Sequence, residues 1–238
     1  MPQFVSSPLQ LSLGISLKDD ATFSNFYAAD GNAQALHALR EFSAGRGEGN
    51  LLLWGNRGAG LTHLLQACCH AAFEQRIGVQ YLPLRDLVGY APEDVCDGLD
   101  KVSLVCLDGV DEICGRQNWE QTLFHLYNRL RDAGHRLLIA SHTSPASLPM
   151  VLPDLKSRWL GSVIYHLHEL NDQEKALALQ LRAKSRGMEM PDEVAKYILS
   201  RAPRDTSDLF NLLNRLDDAS LQLQRKLTVP FVREVLLF

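Results

Sequence analysis

A chain of 238 residues, 46% hydrophobic and 22% charged, reads as a soluble globular protein of one large domain or two modest ones, with room for a substantial core. Its net charge of −4 argues against a broad surface for gripping DNA phosphates, which is usually basic. The five cysteines contain no C-x-x-C pair and read as reduced thiols packed as small hydrophobes. No secretory leader and no stretch of transmembrane length is evident, so a cytosolic chain is expected.

Residues 1–20, with their prolines, serines and closing acids, suggest an extended tail. It contains Gln10-Leu11-Ser12-Leu13. A glutamine with two leucines suits docking in an apolar pocket, while the alternation of Leu9, Leu11 and Leu13 equally suits an edge strand. Thr22-Phe23-Ser24-Asn25-Phe26-Tyr27 follows, then a short helix over 32–42 carrying Ala35, Leu36, Leu39 and Phe42. Residues 45–49, Gly-Arg-Gly-Glu-Gly, form a flexible turn.

Leu51-Leu52-Leu53-Trp54 reads as a buried strand, and a helix is expected from about 61 to 75. Between them runs Gly55-Asn56-Arg57-Gly58-Ala59-Gly60-Leu61-Thr62. A strand, a glycine-rich turn and a helix in that order is the setting of a phosphate-binding loop, whose N–H groups and helix N-terminus face an anion. Thr62 offers a hydroxyl to Mg²⁺. Position 61, where the pattern G-x-x-x-x-G-K-[ST] has lysine, is leucine. The lysine that reaches the β- and γ-phosphates is therefore missing, and the loop suits binding better than hydrolysis.

Residues 80–84 form a second strand candidate and 86–96 a short helix or loop. A third strand over 102–107 ends on Asp108, placed either to hold a metal or simply to terminate the strand. Gly109 stands where many ATPases carry a water-activating glutamate, and Asp111 and Glu112 lie one turn further on. An amphipathic helix spans 118–131, with Trp119, Leu123, Leu126, Tyr127 and Leu130 inward. A fourth strand over 136–141 ends in Ser141 and His142, either a γ-phosphate sensor or a strand exit. Leu155-Lys156-Ser157-Arg158 lies on a helix end or loop. A fifth strand spans 163–168, and its His166 and His168 read as structural or solvated.

The pattern then becomes all-helical. Asn171 and Glu174 form a capping box opening a helix to about 186, followed by helices over 191–200, 205–224 and 228–238. The expected fold is α/β: a five-stranded parallel sheet with a nucleotide at its carboxyl edge over 21–168, and a small helical lid over 169–238.

With these segments in place, the chain resembles the AAA+ ATPases, and within them the DnaA initiator family. Thr22-Phe23-Ser24-Asn25-Phe26 looks like that family's TF-x-NF segment, which places Tyr27 and Ala28 near the nucleotide base. Leu155-Lys156-Ser157-Arg158 resembles its LxSR box, which implies that Arg158 reaches a neighbouring subunit's ATP as an arginine finger. DnaA continues into a helix-turn-helix domain for which these 238 residues leave no room. A Gln-Leu-Ser-Leu tail on a DnaA-like body is similar instead to the Hda family of DnaA inactivators. The resemblance then favours residues 10–13 as a peptide for the DNA polymerase sliding clamp (its beta subunit), anchored by Gln10, Leu11 and Leu13.

Two departures from the family pattern withdraw positive charge from the γ-phosphate region. Leu61 replaces the loop lysine, and Ser207 replaces the second sensor arginine, with Arg204 one turn earlier. The resemblance therefore implies a nucleoside diphosphate, ADP first, held by Tyr27, Gly55, Arg57, Gly58, Ala59, Gly60, Leu61, Thr62, His63, Arg204 and Ser207, with Thr62 and Asp108 as Mg²⁺ ligands. It implies little intrinsic ATPase, stimulation of DnaA-bound ATP hydrolysis in trans, a homo-oligomer as one option, and DNA met only through the clamp. Two other classes remain open: a helicase-loader-like ATPase, or a single-stranded DNA binder using Arg129, Arg131 and Arg136.

Overall fold

The structure is a computed structural model that describes residues 17, 21–47, 49–202 and 205–237. Five strands, β1 (Asn50–Trp54), β2 (Val79–Pro83), β3 (Leu104–Asp108), β4 (Arg136–Ser141) and β5 (Val163–His166), form one parallel sheet in the order β2-β3-β4-β1-β5. Helices cover both faces. In chain order they are α1 (Ala33–Ser43), α2 (Leu61–Glu74), the short α3 (Leu84–Leu87) and α4 (Pro92–Val95), α5 (Gln117–Asp132) and α6 (Pro153–Leu160). Four further helices, α7 (Asp172–Ser185), α8 (Asp192–Arg201), α9 (Thr206–Leu223) and α10 (Val229–Leu236), make the lid.

Because both faces are covered, the strands are continuous apolar runs whose alternate residues go to opposite cores. Leu52, Val105, Leu107, Leu137 and Ile139 pack with Trp119, Leu123, Leu126 and Leu130 of α5 and Trp159 of α6. Leu51, Leu53, Leu104, Cys106, Leu138 and Ala140 pack with Leu39 of α1 and Leu64, Leu65 and Cys68 of α2, and Leu17 joins that cluster. The helical lid has its own core, in which Leu179, Val194, Ile198, Leu209, Leu213, Leu216 and Phe231 meet.

Cys68, Cys69, Cys96 and Cys106 are buried and, like the half-buried Cys114, free, and burial pushes the Cys96 and Cys114 thiols up to about 12. No helix among the described residues is long and apolar enough to cross a membrane.

Several boundaries differ from the sequence expectation. The third strand begins at Leu104 rather than 102, because Leu99–Lys101 coils into a tight turn and pairing opens with the Leu104 N–H on the Gly78 carbonyl at 3.0 Å. Residues 86–96 hold the end of α3 and the whole of α4. The segment carrying Arg158 is a complete helix, α6, opened by Pro153. The fifth strand stops at His166 rather than 168. Buried Asn32, at the start of α1, diverts the chain there: its Nδ2 donates to the His168 carbonyl and its Oδ1 accepts the His168 N–H, both at 2.9 Å.

The lid opens with the expected capping box, the Glu174 N–H on Asn171 Oδ1 at 3.0 Å and the Asn171 N–H on Glu174 Oε2 at 2.8 Å. His166 stacks on Trp54 with ring centroids 3.9 Å apart and meets His168 edge-on at 4.3 Å.

Asn32 satisfies two backbone groups at once, so Asn32→Ala should lower unfolding stability by about 2 kcal/mol, read by urea titration.

Candidate nucleotide-binding site

The carboxyl edge of the sheet and the lid enclose a cleft of about 840 Å³. Its floor is the glycine-rich loop. Gly60 has φ +97°, a left-handed conformation that costs an L-residue roughly 1–2 kcal/mol, and a Cβ there would stand 2.7 Å from the Phe26 ring. Gly55 touches the carbonyl of Leu167 so closely that a Cβ would lie 2.5 Å from it. The loop is thus pressed between the segment before α1 and the strap after β5. Asn56 adds a hydrogen bond to Glu169 at 2.8 Å. Beyond the loop α2 begins, its first N–H groups and positive dipole end aimed into the cleft.

The cleft brings together Tyr27, Arg57, Gly58, Ala59, Gly60, Leu61, Thr62, His63 and Asp108. Two of the expected residues contribute differently. Gly55 does not line the cleft and acts by letting the chain pass under Leu167. The Leu61 side chain is buried in the core with Leu64 and Leu65, so this position offers backbone only, and apolar packing occupies the place of the missing cation. Arg204 and the side chain of Ser207 lie outside the described residues, as do Gln10, Leu11 and Leu13.

Asp108 ends β3 beside the loop. Its Oδ2 accepts the Tyr81 hydroxyl at 2.6 Å. Burial raises the Asp108 carboxyl above its ordinary value, opposed by hydrogen bonds from Tyr81 and Thr62 and by the nearby His142. Burial, followed by the Asp108 charge, pushes the Tyr81 phenol well up, so it stays a proton donor. The Thr62 hydroxyl and the Asp108 carboxylate therefore sit together, and they are the two oxygens that would hold a Mg²⁺ ion here. Among the described residues no group of three or more His, Cys, Asp or Glu side chains is placed to hold a metal by itself.

The tip of β4 is built as a polar pair. The Ser141 hydroxyl donates to the Thr143 carbonyl at 2.8 Å and is used up as a strand exit. His142 lines the cleft; its backbone N–H donates to Asp111 Oδ1 at 2.9 Å. Its Nδ1 stands 3.5 Å from Asp111 Oδ2, an ion-pair contact longer than a normal hydrogen bond. Burial would raise the Asp111 carboxyl, but the His142 side chain and backbone N–H hold it down to about 2. In return the Asp111 side chain lifts the His142 pKa, against burial. Asp111 is thus committed to His142, and it is Glu112 that lines the cleft near Gly109.

Sequence reasoning looked to Arg204 and Ser207 for the lid's contribution and missed Arg182. Arg182 of α7 reaches across to α2, its Nη2 2.5 Å from His63 Nδ1, and lies over the Phe210 ring of α9 at 3.9 Å. His63 Nε2 in turn stands 2.8 Å from the Thr22 carbonyl. Arg182 looks like an ordinary polar-face helix residue in one dimension; only the folding of α7 over the loop brings it to the cleft. Asp205 and Thr206 also meet the loop from the lid: a Cβ on Gly58 would lie 3.3 Å from Asp205 Oδ2 and 3.5 Å from the Thr206 N and Oγ1.

A parallel sheet with a phosphate loop after its first strand, roofed by a four-helix lid, defines an AAA+ nucleotide-binding module. Residues 17–165 match the family described as the bacterial DnaA ATPase domain, and residues 172–236 match the Hda lid domain. The chain belongs to the bacterial DnaA ATPase-domain family, in its Hda-type form.

Domain III of the Thermotoga maritima replication initiation protein DnaA is similar over 94% of this chain and 98% of its own, at 24% identity and a TM-score of 0.79. AMPPCP-bound DnaA from Aquifex aeolicus is similar over 89% of this chain and 69% of its own, at 24% identity and a TM-score of 0.73. The Thermotoga maritima RuvB Holliday junction branch migration motor is similar over 91% and 73%, at 17% identity and a TM-score of 0.66.

The raised His142 and lowered Asp111 pKa values define a window in which both are charged. The stability this gives fails as acid approaches pH 2, where Asp111 protonates, and fades as pH rises through the lifted His142 pKa. NMR titration should place His142 above the ordinary 6.5, and Asp111→Asn should bring it down.

Proposed function

We propose that this chain is a negative regulator of replication initiation: it holds a nucleoside diphosphate in its own cleft, docks on the DNA-loaded sliding clamp through Gln10, Leu11 and Leu13, and drives hydrolysis of DnaA-bound ATP by offering Arg158. The observation that carries this reading is the placement of Arg158. It is exposed on α6 and does not line the chain's own cleft. No carboxylate among the described residues lies within ion-pair distance of it. A guanidinium so presented suits the charge developing on a partner's γ-phosphate, and arginines supplied in trans are worth ~10³–10⁵ in rate in other hydrolases.

The cleft lacks the loop lysine a triphosphate needs, Leu61 being core, and the five acids of its wall, Asp86, Asp108, Glu112, Asp205 and Asp208, outnumber its arginines Arg57, Arg85 and Arg182. A diphosphate carries less charge into this setting and suits it better, with Mg²⁺ held by Thr62 and Asp108 where present.

The arginines that a single-stranded DNA surface would use are already engaged. Arg129 pairs with Asp100 at 3.4 Å and Arg131 with Asp132 at 3.0 Å. Arg136 donates to the carbonyls of Phe42, Gly45 and Arg46.

Two measurements test the proposal. ATP hydrolysis by DnaA with clamp-loaded DNA should accelerate with the wild-type chain and return to the rate of DnaA alone with Arg158→Ala, clamp binding being retained. Failure of the wild type to accelerate it would discard the reading, and turnover by the isolated chain would favour a loader-type ATPase. In calorimetry ADP should bind more tightly than ATP, and Arg182→Ala should weaken ADP about tenfold through loss of a charge-assisted contact.

A further inference from the structure

Glu120 is a carboxylate with no solvent exposure, buried in α5 beneath the start of α6. A buried acid is costly unless fully hydrogen-bonded, and this one is held entirely by backbone donors. Oε1 accepts the Gly115 N–H at 2.7 Å. Val151 donates to both oxygens, at 3.2 and 2.9 Å. Leu152 donates to Oε2 at 2.7 Å.

Gly115 lies just before α5, whereas Val151 and Leu152 are the entry of α6. Leu152 is the residue before its first turn and has no side-chain cap to give, and Pro153 has no N–H. The Leu152 N–H, which a Glu or Gln at the third helical position would take in a capping box, finds only Leu155 there; it and the Val151 N–H are taken instead by an acid from the neighbouring helix, whose charge also suits the dipole of α6. Leu155 and Trp159 seat α6 in the core, and Lys156 Nζ reaches the Leu148 carbonyl at 3.1 Å. Packing alone lets a two-turn helix rock; the Glu120 hydrogen bonds fix its tilt and its phase.

We propose that Glu120 is the positioning residue of the Arg158 helix. The inference rests on the reading of Arg158 as the group offered to a partner's nucleotide. Arg158 lies six residues beyond Leu152, about 9 Å along the axis, so a tilt of about 10° at the anchor moves its backbone by about 1.6 Å. Misplacements of about 1 Å cost roughly 10²-fold where a group must meet developing charge. Glu120 acts on the reaction only through where it puts Arg158.

The experiment compares wild type, Arg158→Ala, Glu120→Ala and Glu120→Gln. It reads stimulation of DnaA-bound ATP hydrolysis on clamp-loaded DNA, ADP affinity, and hydrogen exchange of the Val151 and Leu152 amides. Glu120→Ala should lose at least about tenfold in stimulation and expose both amides to exchange. Its ADP affinity should stay within about threefold, the cleft being built by other elements. Glu120→Gln keeps one carbonyl acceptor but turns an NH2 toward the remaining N–H donors, and should fall between wild type and Glu120→Ala in both readouts.

Stimulation by Glu120→Ala at the wild-type level overturns the proposal. So does loss of ADP binding in step with stimulation, without rescue by Glu120→Gln, which marks a general structural role. If Arg158→Ala stimulates as well as wild type, the finger reading is what has failed. The exchange readout on the isolated chain still decides whether Glu120 anchors α6: unchanged protection in Glu120→Ala would refute it.

Discussion

The loop over 55–62 keeps its path because two neighbours press on it, the Leu167 carbonyl under Gly55 and the Phe26 ring against Gly60. Both neighbours come from segments distant in sequence. Phe26 belongs to the stretch that leads into α1, and Leu167 follows β5 at the far edge of the sheet. Asn32 ties those two segments to each other through the His168 backbone. The loop, the entry of α1 and the strap after β5 therefore form one unit. A ring of backbone donors can be held open this way with no lysine to organise it, because its shape comes from steric contact and not from ligand charge.

Charge around the cleft is distributed unusually as a consequence. The position that would carry the loop lysine is committed to apolar packing, and beside Arg57 of the loop and Arg85 of α3 a cation enters from the lid, on Arg182. That cation is not fixed to the phosphate loop. It bridges α2 and α7, stacks on α9, and connects through His63 to the segment before α1. Lid position and cleft electrostatics are thus the same variable. The lid rests on the loop region through this pair together with Asn56 on Glu169 and Asp205 and Thr206 beside Gly58.

Arg158 belongs to a different mechanical unit. Its helix packs against α5 with the face of the sheet that holds Leu52 and Ile139, while α2 and α1 cover the opposite face. The cleft opens at the carboxyl edge of the sheet and α6 lies on one of its faces, and each has its own anchor. The loop is shaped by Phe26 and Leu167; α6 is held at its entry by Glu120. A buried acid satisfied wholly by N–H groups of two loops is a strong local constraint, since each of those donors would otherwise be unsatisfied in the interior.

The order of strands and helices, the loop and its missing lysine, the apolar faces of α5 and the lid, and the Asn171 capping box were legible in one dimension, because period, capping and glycine placement are local properties of the chain. Asp108 at the strand end was legible for the same reason. The chemistry around it was not: the Tyr81 phenol on Asp108, the Asp111–His142 pair, Arg182 on His63 and Glu120 on the Leu152 N–H each join residues from separate elements. Leu61 shows the boundary most plainly. The sequence alone revealed that a cation was absent, but only the packing of two layers against the sheet decided that its place would be filled by core. Local patterns carry the propensity of a segment; which polar groups meet across segments follows from how those segments pack, and a single sequence does not spell that out.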